Sequence, residues 1–307
     1  MTRLRIATRK SALALWQANH VADLLRKAHR KLNVELVPIV TRGDRILDRP
    51  LAAIGGKGLF LKELEHALLE GAADLAVHSM KDMPVGDSHG LELAVALPRA
   101  NPFDAWLSRE GSDLSSLAAG SRVGTSSLRR RCQLLAARPD LEVVELRGNV
   151  DTRLGKLQAG EFDAIILACA GLQRLGLGDQ ITQELRPPEW LPAGTQGIIG
   201  LQCRAGDAPV RTLIAPLADQ EAMLQARAER AAAALLEGSC QVPLAIYAQR
   251  RGAELLMQGL VGKPDGSLLL RARHVGAAAQ PEAAGRALAE DLRAQGALHL
   301  IHALRAD

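Results

Sequence analysis

The sequence predicts an α/β fold, with two successive α/β domains followed by a small C-terminal α+β domain. Through the first two thirds of the chain, short apolar segments with strand character alternate with segments of helical periodicity. Prolines interrupt this alternation at residues 98–102 and 186–192. After residue 218 the order changes to a helix, three strands and a final helix. Because strands separated by helices pair in parallel, we expect two mainly parallel sheets with helices on both faces.

The first predicted domain comprises residues 1–98 and 196–217. An apolar segment at 197–203 is expected to return the chain to this domain as an additional strand. The other predicted strands are residues 4–8, 34–40, 73–78 and 91–97, and the predicted helices are residues 11–28 and 58–70.

The second predicted domain comprises residues 99–195 and the third comprises residues 218–307. In the third, Pro264-Asp265-Gly266 is the signal for a hairpin. The second domain has predicted strands at 105–108, 122–124, 143–146 and 164–169 and helices at 126–138 and 151–159. The third has strands at 242–247, 255–261 and 268–273 between helices that end near 236 and span 281–295.

Composition and charge exclude several classes of protein. The 307 residues carry 38 basic and 34 acidic side chains without a long basic run, so we expect no nucleic-acid binding. No segment approaches the ~20 apolar residues of a membrane span, and the N-terminus lacks the apolar stretch of a signal peptide. The four cysteines have neither zinc-site spacing nor the density of a disulfide framework. We therefore expect a metal-free cytoplasmic protein with reduced thiols.

Arginines and small polar residues cluster at three predicted strand-to-helix junctions, where parallel sheets bind ligands. An isolated arginine is usually a solvated helix residue. Positive charge in the first turn of a helix, however, opposes the helix dipole, and a bound anion would explain it. A polycarboxylate or a phosphate would both fit. The junctions are Arg9 with Ser11, residues 124–127 with Arg129 and Arg130, and residues 147–151 with Arg153.

The segment Val77–Pro84 carries a candidate catalytic carboxylate. Asp82 follows a strand that looks buried, where it could stabilise a developing positive charge; a surface pair with Lys81 is the plainer alternative. We expect His78 to be a structural histidine. Gly55–Gly58 lacks the spacing of a P-loop, and we interpret it as part of a mobile loop over residues 42–60.

Cys240, in the segment Gly-Ser-Cys-Gln-Val-Pro, is predicted to lie at a turn between a helix and a strand. A single turn cysteine is weak evidence, but together with six other segments it resembles the porphobilinogen deaminase family. Seven such segments in the family's order are a specific resemblance. They are residues 5–11, 55–60, 78–82, 124–130, 147–154, 170–176 and 237–243.

The resemblance implies both a fold and a reaction. The first two domains would be related to periplasmic solute-binding proteins. The enzyme would condense four molecules of porphobilinogen, with release of ammonia, into the linear tetrapyrrole hydroxymethylbilane. A dipyrromethane cofactor, bound to Cys240 by a thioether, would prime this chain, without a metal. The resemblance also implies a monomer and allows a handover of product to uroporphyrinogen III synthase.

The resemblance further implies roles for individual residues. Asp82 would contact the cofactor, stabilise the cation left when ammonia departs and help proton transfer. Each pyrrole carries an acetate and a propionate, which explains the arginines. Lys81, Thr125, Ser127, Arg129 and Arg130 would bind cofactor carboxylates, and Arg9, Ser11, Arg147, Arg153 and Arg174 would bind the substrate and the growing chain.

Three residues depart from the family pattern. Ser239 and Thr195 stand where the family usually has glycine, and Gln202 stands where it has glutamate. If these glycines have positive φ, Ser and Thr there cost about 1 kcal/mol or more, and Thr is the worse fit. We expect the chemistry to be retained but the rate and the cofactor loading to be affected.

Two other classes of function remain as alternatives. A non-catalytic two-domain anion-binding protein would use the same arginines and leave Cys240 without a role. A cysteine-nucleophile hydrolase needs a base, and His78 is the candidate within a motif, although no partner that would orient it is evident.

Overall fold

The computed structural model describes residues 3–41, 61–86, 88–239 and 242–306. Two compact units make up the chain: Met1–Ala100 with Gly197–Met223, and Asn101–Gln196 with Leu224–Asp307. None of the helices in the described ranges is long and apolar enough to cross a membrane. The second unit contains both segments predicted as the second and third domains, and the three-domain division stays a prediction.

The first unit is built on a five-stranded sheet. In spatial order the strands are β2 (Asn33–Ile39), β1 (Arg3–Arg9), β3 (Leu75–Ser79), β10 (Ile199–Arg204) and β4 (Leu91–Ala96), and the helices are α1 (Ala12–Ala28), α2 (Lys62–Leu69) and α6 (Ala208–Ile214). β1 is parallel to β2 and β3, whereas β10 is antiparallel to β3 and β4. The predicted return of the chain through an apolar strand near 197–203 is therefore confirmed.

The first sheet of the second unit repeats this plan. In spatial order the strands are β7 (Glu142–Val144), β6 (Arg122–Gly124), β8 (Ala164–Ala168), β5 (Asp104–Ser108) and β9 (Gln183–Leu185), and the helices are α3 (Leu128–Ala137), α4 (Val150–Gln158) and α5 (Cys169–Arg174). β6 is parallel to β7 and β8, and β5 is antiparallel to β8 and β9. Both sheets thus place one antiparallel strand in the fourth position.

The C-terminal part of the second unit is an antiparallel three-stranded sheet covered by helices. A Cβ atom at Gly285 would lie 2.0 Å from the carbonyl oxygen of Ala228, so glycine permits the close packing of α8 on α7. The predicted fold class is confirmed. The strands are β11 (Leu244–Arg251), β12 (Glu254–Gly262) and β13 (Leu269–Ala277), and the helices are α7 (Gln220–Leu235), α8 (Pro281–Ala294) and α9 (Ala297–Ala306).

The predicted hairpin at residues 264–266 is also confirmed. Gly266 has φ of +75° and donates its amide to the carbonyl of Lys263 at 2.9 Å. The short elements β9, α5 and α6 were not predicted, because three to seven residues give too few periods for a pattern. The final helix α9 was also missed; it begins just after Gly296, whose φ of +95° ends the predicted helix.

Candidate functional site

Polar side chains of the first unit gather where β1 and β3 end. Arg9 is the last residue of β1, and Ser11 caps α1 by accepting a hydrogen bond from the amide of Ala14 at 3.4 Å. After β3, residues Met80–Asp82 form a 3-10 turn. The structure thus brings three predicted site residues to one cavity. Its polar lining consists of Arg9, Ser11, Gln17, His78, Ser79 and Asp82.

His78 lies in this lining as a neutral, hydrogen-bonded side chain. Its Nε2 is 3.0 Å from Oε1 of Gln202, and the Gln202 amide nitrogen donates to Glu65 at 3.1 Å. Because Oε1 of Gln202 is the acceptor in this chain, His78 donates from Nε2. Burial lowers the pKa of His78 to about 4. The prediction of a structural histidine is confirmed, and a histidine base for a hydrolase is disfavoured.

Asp82 is the exposed carboxylate of the same cavity. It ends a turn in which the amide of Met83 donates to the carbonyl of Met80 at 3.0 Å, and Met83 is extended, as a following proline favours. The neighbouring Lys81 is half-buried. The backbone therefore fixes a solvent-accessible carboxylate beside the polar lining, where it can hold a proton or stabilise a cation.

The second unit has a strand-to-helix junction between β6 and α3. Ser127 caps α3 by accepting a hydrogen bond from the amide of Arg130 at 3.4 Å. The buried hydroxyl of Thr125 accepts one from the amide of Ser127 at 3.2 Å. Both hydroxyls are thus engaged with local backbone, and each retains its own O–H as a donor.

Arg129 and Arg130, in the first turn of α3, are buried around Asp104. Arg129 donates from Nη1 to Asp104 Oδ2 at 2.6 Å and to the carbonyl of Leu191 at 2.9 Å. Arg130 donates from Nη2 and Nε to Asp104 Oδ1 at 2.8 and 3.1 Å, and from Nη1 to the carbonyl of Ile166 at 2.7 Å. The anion that the sequence required beside these arginines is therefore, at least in part, supplied by the protein.

Asp104 accepts two further hydrogen bonds. Trp190 donates from Nε1 to Oδ2 at 2.8 Å, and Gln196 donates from Nε2 to Oδ1 at 3.0 Å and to the carbonyl of Pro102 at 2.7 Å. Burial alone would raise the pKa of Asp104, but the two arginines outweigh it and hold the pKa far below its usual range. Sequence reasoning missed Asp104, although an acidic residue beginning a buried strand is an available signal.

The junction between β7 and α4 carries two more predicted arginines. Asn149 caps α4 by accepting from the amide of Thr152 at 2.9 Å, and Arg153 donates from Nε to the carbonyl of Gly148 at 2.8 Å. Arg147 Nη1 is buried, and within the described part of the chain it has no hydrogen-bond partner. This N–H group therefore points to an acceptor that the described residues do not provide.

Arg174, the last residue of α5, is the remaining predicted arginine. It is half-buried, and burial lowers its pKa to about 10. Its guanidinium therefore stays protonated at neutral pH. The predicted roles of all these arginines stay predictions.

Thr195 has φ of +59°, so the strained geometry expected there is confirmed. Its amide donates to the buried carboxylate of Glu229 at 2.5 Å, which holds this conformation. The second left-handed non-glycine residue among those described is Glu237, not Ser239. Cys240 and residues 42–60, including Gly55–Gly58, lie outside the described residues.

Comparisons with known proteins bear on both parts of the chain. Residues 4–212 match the family model for the porphobilinogen deaminase, dipyromethane cofactor binding domain, and residues 223–294 match that for the porphobilinogen deaminase, C-terminal domain. The porphobilinogen deaminase of Stenotrophomonas maltophilia (strain K279a) is 54% identical over 98% of this chain and 100% of its own. That of Xanthomonas axonopodis pv. citri (strain 306) is 54% identical over 98% of this chain and 99% of its own. The periplasmic aliphatic sulphonate binding protein SsuA from Escherichia coli has 17% identity and a TM-score of 0.38, with 76% of this chain and 70% of that chain covered.

Proposed function

The chain belongs to the porphobilinogen deaminase family, and on that premise we propose how its residues carry out the family's reaction. The enzyme is a transferase of tetrapyrrole biosynthesis that condenses porphobilinogen into hydroxymethylbilane and uses a dipyrromethane cofactor. The match of the cofactor-binding domain over residues 4–212 carries this conclusion. It overturns the alternative of a non-catalytic anion-binding protein.

The second unit has features that fit a cofactor rich in carboxylates. Arg147 keeps a buried N–H group without an acceptor among the described residues. Arg129 and Arg130 share one buried carboxylate, Asp104, between two positive charges. Charge-assisted hydrogen bonds contribute roughly 1.5–3 kcal/mol each, so a few of them hold a polycarboxylate firmly.

The proposed cofactor contacts follow from the matched motifs. When bound, dipyrromethane supplies the pyrrole end to which new units are added. The thiolate of Cys240 would form the thioether that anchors it. Lys81, Thr125, Ser127, Arg129 and Arg130 would donate to its acetate and propionate groups, with Arg129 and Arg130 doing so while they also contact Asp104.

The proposed substrate contacts also use permanent cations. Arg9 and Ser11 belong to the polar cavity of the first unit, and the remaining arginines belong to the second unit. An arginine binds a carboxylate through two parallel N–H groups, which orients the pyrrole as well as attracting it. The arginines of the second unit proposed for the substrate and the growing chain are Arg147, Arg153 and Arg174.

Asp82 is the proposed catalytic residue. Its exposed carboxylate ends the Met80–Asp82 turn, and a carboxylate stabilises a positive charge that develops as the substrate loses ammonia. The same group can accept the pyrrole proton that leaves when the new carbon–carbon bond is complete. His78 does not compete for this role, because burial keeps it neutral and Gln202 engages its Nε2.

Four further expectations accompany this proposal. We propose that the enzyme acts in the cytoplasm as a monomer and that its product passes to uroporphyrinogen III synthase. The division into domains at 1–98 with 196–217, 99–195 and 218–307 is proposed with them.

Turnover of variants tests the proposal. Wild-type protein given porphobilinogen should release ammonia and form a linear tetrapyrrole, and Cys240→Ser should fold and lose this activity. Cys203→Ala is the matched control, because the Cys203 thiol is buried and burial raises its pKa to about 11. Equal turnover in Cys240→Ser and wild type would refute the role of Cys240.

A further inference from the structure

We infer that Asp104 is a positioning residue for the reaction: it fixes Arg129 and Arg130 and leaves the pair one positive charge, which a tetrapyrrole carboxylate neutralises. The inference rests on the proposed function and deepens it. It concerns how the carboxylate-binding arginines are held in place.

Asp104 has no exposed surface, and both of its oxygens accept from the arginines. Oδ2 accepts from Arg129 at 2.6 Å, and Oδ1 accepts from Arg130 at 2.8 Å and from Arg129 at 3.2 Å. The N–H groups of Trp190 and Gln196 hold the carboxylate from other directions. With six N–H groups donating to it, the carboxylate cannot turn without breaking several buried hydrogen bonds. Asp104 is thus a fixed reference for both guanidinium groups.

The charges of this cluster do not balance. Two buried guanidinium groups face one carboxylate, and in the described part of the chain neither arginine has a second acidic partner. The hydrogen bonds from Arg129 and Arg130 to the carbonyls of Leu191 and Ile166 add partial negative charge only. A surplus positive charge in a medium of low dielectric constant attracts an anion strongly. A ligand carboxylate is the anion that this enzyme's substrate and cofactor bring.

Both arginines can still donate while Asp104 holds them. A guanidinium has five N–H groups, and each arginine uses three of them. Arg129 donates twice from Nη1 and once from Nη2, and its Nε has no acceptor within the residues that the structure describes. Arg130 donates once from each of its nitrogens, to Asp104 or to Ile166. Within the described part of the chain, each arginine therefore keeps two N–H groups for a ligand carboxylate.

Primer loading tests the inference. We would measure the fraction of chains that carry the primer mass, as purified and during incubation with porphobilinogen, for wild type, Asp104→Asn and Asp104→Glu. Leu134→Ala is the control: Leu134 is a buried residue of the same helix α3, outside the arginine cluster. Unfolding midpoints of all four proteins separate loading from stability.

We expect loading to be at least ten-fold slower in Asp104→Asn, where the arginines lose their anion, and in Asp104→Glu, where the carboxylate is displaced by one methylene. Folded Leu134→Ala should load at the wild-type rate. If Asp104→Asn does not fold, Asp104→Glu decides, because it retains the charge. The inference alone is overturned if the folded Asp104 variants load the primer at the wild-type rate. It is also overturned if the loss of loading follows the unfolding midpoint in all variants, including Leu134→Ala. A wild-type protein that never acquires the primer overturns the proposed function and this inference with it.

Discussion

Each unit places one carboxylate between two arginines, but at opposite edges of its own sheet. In the first unit Asp74 lies at the amino end of β3 and accepts from Arg5 at 2.8 Å and from Arg204 at 3.5 Å. In the second unit Asp104 lies beside the carboxyl end of β8, opposite Ala168. Ligands of α/β sheets bind at the carboxyl edge, so the cluster of the second unit occupies the edge where binding is expected.

The two clusters also differ in their charge balance. Arg204 has a second acidic partner, Asp207, at 2.8 Å, so two arginines and two carboxylates compensate each other in the first unit. The arginine side chains there are also about 30% exposed, against 6–7% around Asp104. The same residue types therefore make a neutral structural clasp in one unit and a charged, buried group in the other. Charge balance and position on the sheet, and not the motif alone, indicate function.

The largest expected difference is in stability. Asp104→Ala leaves two buried arginines without an anion, and breaking a buried pair in this way costs about 3–5 kcal/mol. Asp74→Ala should cost about 1–3 kcal/mol. The cost is smaller because solvent screens the charge of Arg5, and because Arg204 still has Asp207 as an acidic partner. Chemical denaturation measures both. Equal losses would show that the two clusters are energetically alike.

The first unit also contains a buried histidine, His78, that should make its stability depend on pH. His78 is kept neutral: burial lowers its pKa from 6.5 to about 4, so between these pH values the unfolded chain binds a proton that the folded chain does not. Stability should therefore fall as pH falls from 6.5 to 4, by up to about 3 kcal/mol from this group.

Unfolding free energies across this pH range test the prediction in wild type and His78→Asn. The variant should lose the part of the slope that His78 causes. The matched control is His66→Asn, because His66 is an exposed histidine paired with Glu70. An unchanged slope in His78→Asn would contradict the assignment of a buried neutral imidazole.

Substitutions at Arg147 and at the Asp74 cluster should also differ in their effect on substrate binding. Arg147→Leu removes a guanidinium with a buried N–H group that lacks a described acceptor, and we expect KM for porphobilinogen to rise roughly 10- to 100-fold. Arg5→Leu, at the Asp74 cluster, should reduce stability and leave KM near the wild-type value. Steady-state kinetics measure both, and a similar rise in KM for Arg5→Leu would remove the distinction.

The smallest expected effect concerns Thr195, which precedes Gln196 of the Asp104 cluster. Thr195→Gly relieves a φ of +59° that a β-branched residue adopts at a cost, and it should stabilise the protein by up to about 1 kcal/mol. Glu237→Gly is the informative comparison, because Glu237 also has positive φ but its carboxylate pairs with Arg305. We expect the unfolding midpoint to rise in Thr195→Gly and not in Glu237→Gly.

Local features of the fold were predictable from sequence, whereas most long-range pairings were not; the return of the chain through β10 is the exception. The start of α1 beside Ser11 and the hairpin at Gly266 depend on a few neighbouring residues, and both were predicted correctly. The helix α9 was missed because a terminal apolar stretch after Gly296 has no distinctive start signal.

The candidate site shows the same limit. The arginines at the start of α3 were identified because cations there oppose the helix dipole, which is a local argument. Their partner Asp104 is 25 residues away, and nothing in the helix sequence specifies it. The sequence therefore indicated that an anion was needed but not that the protein supplies one itself.

The intact mass of the purified protein, with peptide mapping around Cys240, tests the central claim most directly. The account predicts an excess mass equal to two linked porphobilinogen-derived units, located on Cys240. An unmodified mass that persists after incubation with porphobilinogen or preformed hydroxymethylbilane would contradict it.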